Sequence, residues 1–442
     1  EVAQTINSNG STRFGYWTSE LILMHESIAV LNNASKALSS YLEQAGFSAK
    51  LESINAFDAW LGSIPGHGSC NVRRLFVNAL NVAHAIPLHS VWAGDTHSAK
   101  SSLLPLKSPP VFYAATMGKT PFRHHLDVGD VGHQVVLGPS GAGKTTFLQF
   151  QAAQFLRYEG AKVYIFDKDY SHQGLTAALG GNYYGIEHDQ LGFCPLADLS
   201  TSSLRTRASQ FIEDLVELQS VLITSDIRNA IHSAVMSLSH TDNDGSRNLT
   251  VFRSEVQNAM VRDALQYYTL EGQFSLLDAT DNSIQRSHLN TFEMGWVLDQ
   301  KPEIYLPVLR YLFDQIEKEL EVNQGEHPVM IILEEAWLFI GHPTFSKKIK
   351  DWLKTLRKKN ARVILATQSL ADLYNPETKS LTSVTAAIME SCFTKIFLPN
   401  TEMDATIGAL YGTMGLSIRQ IEILSKEAIA KRDYYVMTKN GN

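Results

Sequence analysis

Eight consecutive residues, Gly138-Pro139-Ser140-Gly141-Ala142-Gly143-Lys144-Thr145, have the types and spacing of a phosphate-binding loop, G-x-x-x-x-G-K-[ST]. Glycines let the backbone curl so that successive N–H groups point inward at a polyphosphate. A helix N-terminus adds positive potential at the same point, and here it would be Thr146 onward. Lys144 reaches the β- and γ-phosphates in such a loop, and the Thr145 hydroxyl serves Mg²⁺. The residues therefore imply a nucleoside triphosphate with Mg²⁺ as cofactor.

Hydrolysis needs an acidic element beside that loop. Val329-Met330-Ile331-Ile332-Leu333 is an apolar run of strand length that ends in Glu334-Glu335. A strand buried on both faces reads this way, and α/β sheets carry their chemistry at its carboxyl end. Glu334 is expected beside Mg²⁺, through water, and Glu335 is expected to orient or deprotonate the attacking water. Nucleotidases of this type mostly carry Asp where Glu334 stands, so Glu334→Asp is expected to retain or raise activity. Arg362–Ser369 supplies a third strand with a polar end, where Gln368 can sense the γ-phosphate or hold the water.

The helix before that strand is expected from Phe345 to Asn360. Ile349, Trp352, Leu353 and Leu356 form its apolar stripe, and lysines form a solvated basic face. Arg357 borders the stripe. An exposed arginine there can act as an arginine finger on a neighbouring subunit's γ-phosphate, with Arg362 and Arg310 as fallbacks.

The elements that must position these groups alternate strand and helix, which implies a mostly parallel sheet covered on both faces. Val163–Asp167 reads as the next core strand. From about Ser203 to Gln300 strand signals nearly vanish, which predicts an all-α insertion including helices at 252–270 and 291–298. Residues 121–442 are thus expected to form one ATPase domain of α/β class. Residues 96–120, rich in Ser, Pro, Gly and Lys, read as a linker. Residues 1–95 read as a small α+β module with a strand at 15–24, a helix at 26–45, a strand near 50–54 and a helix at 56–62.

The chain has 442 residues, enough for two or three cores, with 44% hydrophobic and 19% charged residues. A net charge of −7 speaks against a duplex-binding surface, while leaving room for a local basic channel. Three distant cysteines make neither a disulfide framework nor a zinc site, and the 15 histidines show no metal spacing. His124-His125 reads as strand and surface. No apolar stretch is long enough to span a membrane, and no signal peptide is visible. These features predict a cytosolic enzyme. The first residue, Glu1, is not methionine, which predicts a trimmed or processed piece.

On these motifs the chain resembles the TrbE family of conjugal transfer ATPases, the large ATPases of type IV secretion systems, related to FtsK/HerA motors. The resemblance rests also on Ser63-Ile64-Pro65-Gly66-His67, Asn71-Val72-Arg73-Arg74, Val91-Trp92-Ala93-Gly94, Val128–His133 and Phe193-Cys194-Pro195-Leu196. Glu335-Ala336-Trp337-Leu338, Ala366–Leu370, Glu390-Ser391-Cys392 and Leu398-Pro399-Asn400 extend it across nearly the whole chain. It implies ATP as the nucleotide and a RecA-like P-loop NTPase core with an α-helical insertion, preceded by the end of a docking domain, so the chain looks like the C-terminal part of a longer protein. It further implies a hexamer or other homo-oligomer, other type IV secretion components as partners, and a cytoplasmic place peripheral to the bacterial inner membrane. Two alternatives stand beside it. One is a DNA-translocating motor of coupling-protein or HerA type; nucleic acid is possible but not indicated by charge. The other is an ATP-binding assembly scaffold with little hydrolysis.

Overall fold

The computed structural model describes residues 13–44, 46–85, 92–98, 108–187, 191–240, 247–335, 343–368, 374–375 and 380–439. The motif ends Ala336-Trp337-Leu338 and Ser369-Leu370 lie outside these. The chain divides into two units, Glu1–Val91 and Trp92–Asn442.

In the first unit β1 (Phe14–Trp17) pairs antiparallel with β2 (Leu75–Asn78). Helices occupy Ile28–Gln44, Ala56–Gly62 and Ala79–Ala85. The strand expected near 50–54 is absent, and those residues are irregular up to the helix at Ala56. Lys50-Leu51-Glu52 alternates only briefly, and β1 takes β2 as its partner instead.

The second unit opens with β3 (Phe112–Ala115) and β4 (Pro121–His124), an antiparallel hairpin. The linker reading of 96–120 is therefore wrong for its second half. Ser, Pro and Lys at the ends of that segment hide the short Phe-Tyr-Ala-Ala strand, and Val111 beside it is buried. His124 is buried rather than superficial, stacked on Phe112 with ring centroids 4.5 Å apart.

The centre is an eight-stranded sheet. It comprises β5 (Gln134–Leu137), β6 (Lys162–Asp167), β7 (Asn182–Gly185), β8 (Leu289–Glu293), β9 (Val329–Leu333), β10 (Ala361–Thr367), β13 (Thr394–Phe397) and β14 (Tyr435–Thr438). Two short strands, β11 (Tyr374–Asn375) and β12 (Ser380–Leu381), pair apart from it. The order is β14-β13-β5-β10-β9-β6-β8-β7, parallel throughout except for the edge pair β13–β14. β5, β9 and β10 are buried at every residue, as apolar runs in a two-sided parallel sheet must be.

The all-α insertion is shorter than expected. Its helices are Ser202–Leu218, Ser225–Ser239, Leu249–Glu255 and Ala259–Gln266, each opened by a Thr or Asn whose side chain accepts a first-turn N–H. The helix expected over 252–270 is thus broken, because Val256 is extended and Asn258 caps a new start. Residues expected as a helix from Thr291 begin instead inside β8, between β6 and β7. Leu-Asn-Thr-Phe-Glu lacks an apolar run because Asn290, Thr291 and Glu293 are buried with hydrogen-bond partners.

Two of the buried histidines, His124 and His133, weaken the second unit in acid. Burial pushes His124 down to about 3 and His133 down to about 4. The unfolded chain, with ordinary histidines, binds more protons below pH 6.5, so stability is lost as pH falls through that value. Between pH 6.5 and 5 each histidine should cost about 2 kcal/mol. Urea-unfolding midpoints at pH 7 and pH 5 check this; equal midpoints would contradict it.

Candidate active site

β5 ends at Leu137, and the chain turns through Gly138–Gly143 into the helix Lys144–Phe155. A Cβ on Gly138 would come within 2.5 Å of the Leu398 side chain. Gly143 holds φ +100, the left-handed conformation that glycine alone adopts freely, and caps the helix. Phe147, Leu148, Ala152 and Phe155 bury one side of that helix, fixing its N-terminus at the carboxyl end of the sheet. Pro139 is half-buried, whereas Ser140, Gly141 and Thr146 are exposed.

The acidic pair meets this loop directly. Lys144 Nζ lies 2.9 Å from Glu335 Oε1, with both side chains buried. The Thr145 hydroxyl donates to Glu334 Oε1 at 2.6 Å. Ser140 donates to Gln368 Oε1 at the end of β10. Lys144, Thr145, Glu334, Glu335 and Gln368 thus converge from three adjacent strands. Glu335 holds φ +56, a costly backbone for a glutamate and one that is concentrated at functional sites.

A second tier lies beneath the first, and the sequence reading did not contain it. His172 Nδ1 lies 3.0 Å from Asp167 Oδ1 and 3.2 Å from Glu334 Oε2. The Ser171 hydroxyl is 3.1 Å from Glu334 Oε2 and also donates to Asp167. Burial alone would draw His172 down, but its hydrogen bonds to Asp167 and Glu334, and their charges, push it up to about 9. Burial works to raise both carboxyls, and the His172 hydrogen bond and charge outweigh it, holding Asp167 and Glu334 below their ordinary range. Behind them the Tyr183 hydroxyl lies 2.8 Å from Glu293 and 3.1 Å from Asp167, within reach of either carboxylate. The only signal for this tier in the chain is Asp167 closing an apolar strand; His172 has no metal-like spacing.

The donor set fits Mg²⁺. The Thr145 hydroxyl and the Glu334 carboxylate are hard oxygens already in contact. His172 Nδ1 faces the carboxylates of both Asp167 and Glu334, so it braces Glu334. This reverses the expectation for Glu334→Asp. One Glu334 oxygen serves Thr145 and the other serves Ser171 and His172, so a side chain one methylene shorter breaks one set. The expected result is a loss of about tenfold in turnover, roughly 1.4 kcal/mol, read by phosphate release. Retained activity would show that the bridge is dispensable.

The three arginines fall elsewhere. The expected helix is Pro343–Thr355 followed by a 3₁₀ turn, Leu356–Lys359, that holds Arg357. Ile349, Trp352, Leu353 and Leu356 are buried as expected. Arg357 lies at the amino end of β10, about 20 Å along the strand from Gln368, partly exposed and 3.6 Å from Asp130. It stands outside its own chain's site. Arg362 is corrected as a fallback, because it is buried and forked onto Asp127 at 3.1 and 2.7 Å. Arg310 is held by Asp314 at 3.0 Å and Asp214 at 3.8 Å.

The chain is similar to known proteins. Residues 246–437 match the TraG P-loop domain. The chain is 41% identical over 438 residues to the conjugal transfer protein TrbE of Rhizobium radiobacter, covering 97% of this chain and 52% of that protein. It is 40% identical over 436 residues to a probable conjugal transfer protein TrbE of Sinorhizobium fredii, covering 97% of this chain and 63% of that protein. The chain therefore spans between about half and two thirds of these relatives. The solved structure of VirB4 of Thermoanaerobacter pseudethanolicus superposes with a TM-score of 0.56 at 16% identity, over 75% of this chain and 96% of that one. That likeness is one of fold, an α/β P-loop core.

Proposed function

The chain belongs to the TrbE family of conjugal transfer proteins, and from that premise we propose that it hydrolyses ATP to power assembly of, or transfer through, a type IV secretion machine. One observation carries the proposal: the paired contacts Lys144–Glu335 and Thr145–Glu334, which bring a complete phosphate loop onto an acidic strand end. A scaffold that only binds nucleotide needs the loop but not the carboxylates and Gln368.

ATP enters with its phosphates in the cradle Gly138–Thr146, on the backbone N–H groups and the helix N-terminus. Lys144 then exchanges Glu335 for phosphate, which leaves the Glu335 carboxylate to accept a proton from the attacking water. Gln368 leaves Ser140 to hold that water or sense the γ-phosphate. Thr145 and Glu334 would hold Mg²⁺, which would supply charge neutralisation for the transferring phosphoryl group. His172, Asp167 and Ser171 keep Glu334 aimed while this happens.

The protein works as a ring, a hexamer or another homo-oligomer, with the neighbour's Arg357 completing each site. Its partners are other secretion components, and its place is the cytoplasmic face of the inner membrane as a peripheral protein. Among the described residues no helix is long and apolar enough to cross a membrane. The test is genetic. Cells lacking the full-length protein should regain conjugal transfer with the wild-type gene and not with Lys144→Ala. Transfer restored by Lys144→Ala would refute an energetic role. Salt-dependent DNA binding by the purified protein would favour a DNA pump instead.

A further inference from the structure

The turn of residues 428–434 before β14 lies against the phosphate loop, and none of the catalytic steps uses it. The Lys431 N–H donates to the Ala142 carbonyl at 2.9 Å. A Cβ on Gly143 would come within 3.0 Å of the Lys431 Cα, 3.4 Å of its Cγ and 3.4 Å of the Tyr434 hydroxyl. Tyr434 packs on Phe147 of the phosphate-loop helix, with centroids 4.9 Å apart. The turn is built rather than slack. The Ile429 N–H donates to the Asp433 carboxylate at 2.9 Å, and the N–H groups of Arg432 and Asp433 both donate to the Ile429 carbonyl. Lys431 itself holds φ +66, a conformation lysine adopts at a cost.

The strand order gives the turn its meaning. Glu335 and Gln368 mark the γ-phosphate end of the site, on the β9 and β10 side of β5. β13 and β14 flank β5 on the other side. A triphosphate whose γ end meets Glu335 must carry its α-phosphate and nucleoside toward β13 and β14, where the turn stands. Arg432 is neutralised by Asp433 at 2.9 Å, whereas Lys431 is exposed and makes no ion pair among the described residues.

We infer that Lys431 is a second phosphate-binding lysine, contacting the α-phosphate on the nucleoside side of the site, with Tyr434 as the wall behind it. This rests on the reading that the site binds ATP. An ammonium is a point charge that suits a phosphate oxygen without fixed geometry. Its contact is shared by ATP and ADP and lies away from the bond that breaks, so it sets affinity rather than turnover.

The experiment measures Mg-ATP and Mg-ADP binding by calorimetry, and kcat and KM by phosphate release, for wild type, Lys431→Ala, Lys431→Gly and Lys431→Arg. Lys431→Ala should weaken ATP and ADP alike by about tenfold and raise KM in step, with kcat within about a factor of two. Lys431→Gly relieves the left-handed backbone yet should bind as weakly as Lys431→Ala, which separates the side chain from the fold. Lys431→Arg should recover most of the affinity. Unchanged affinity in the Ala and Gly variants, with wild type binding normally, overturns the assignment. A loss confined to ATP and to kcat overturns it too, by placing the lysine at the γ-phosphate. A wild-type protein that binds neither nucleotide removes the ATP reading itself, and this inference with it.

Discussion

Glu335→Gln is expected to bind ATP and turn it over about 10²–10⁴-fold more slowly than wild type, the usual worth of a positioned general base. The amide keeps the shape of the side chain and can still face Lys144, so the phosphate loop and the left-handed turn at Glu335 are undisturbed. What is lost is the capacity to accept a proton. The buried pair also loses its opposite charge, so Lys144 is freer to meet phosphate and ATP affinity should hold or rise. Calorimetry together with phosphate release separates the two quantities. Normal turnover would move the base to Glu334.

Arg357→Ala is expected to leave nucleotide affinity of a single subunit nearly unchanged and to lower turnover in the assembled ring by about 10³–10⁵, the worth of an arginine finger. The position supports the test. Arg357 sits at the amino end of β10, far from its own Lys144, so as a finger it would have to serve a triphosphate in another subunit. The nearby Asp130 is itself largely exposed, with 66% of its side chain open, so the pair is a weak surface contact that an interface can displace. Mixing Arg357→Ala with Lys144→Ala subunits should recover part of the activity, because each supplies the half-site the other lacks. Rings that form without any recovery would count against a finger acting between subunits.

The phosphate loop and the apolar strand ending in Glu334-Glu335 were legible because their signals are local. One is a fixed spacing, and the other is an uninterrupted run ended by charge. The burial of Ile349, Trp352, Leu353 and Leu356 was legible for a similar reason, the helical period. β8 was not, because a central strand that hydrogen-bonds its own buried polar side chains looks neither apolar nor alternating. The bracing of Glu334 was not legible either. His172 is five residues beyond Asp167 and far from Glu334 in the chain, and only the parallel pairing of β6 with β9 brings them together. That bracing turned a methylene that looked surplus into a fitted length. Lys431 was hidden for the same reason, since the edge strand β14 returns it to the loop across almost 290 residues.

The most direct test of the central claim compares ATP binding and phosphate release, with Mg²⁺, between wild type and Lys144→Ala. Wild type should bind ATP and release phosphate. Lys144→Ala should do neither while unfolding at a temperature close to that of wild type. A folded wild-type protein that binds no ATP, or a Lys144→Ala protein that hydrolyses it at the wild-type rate, would contradict the account.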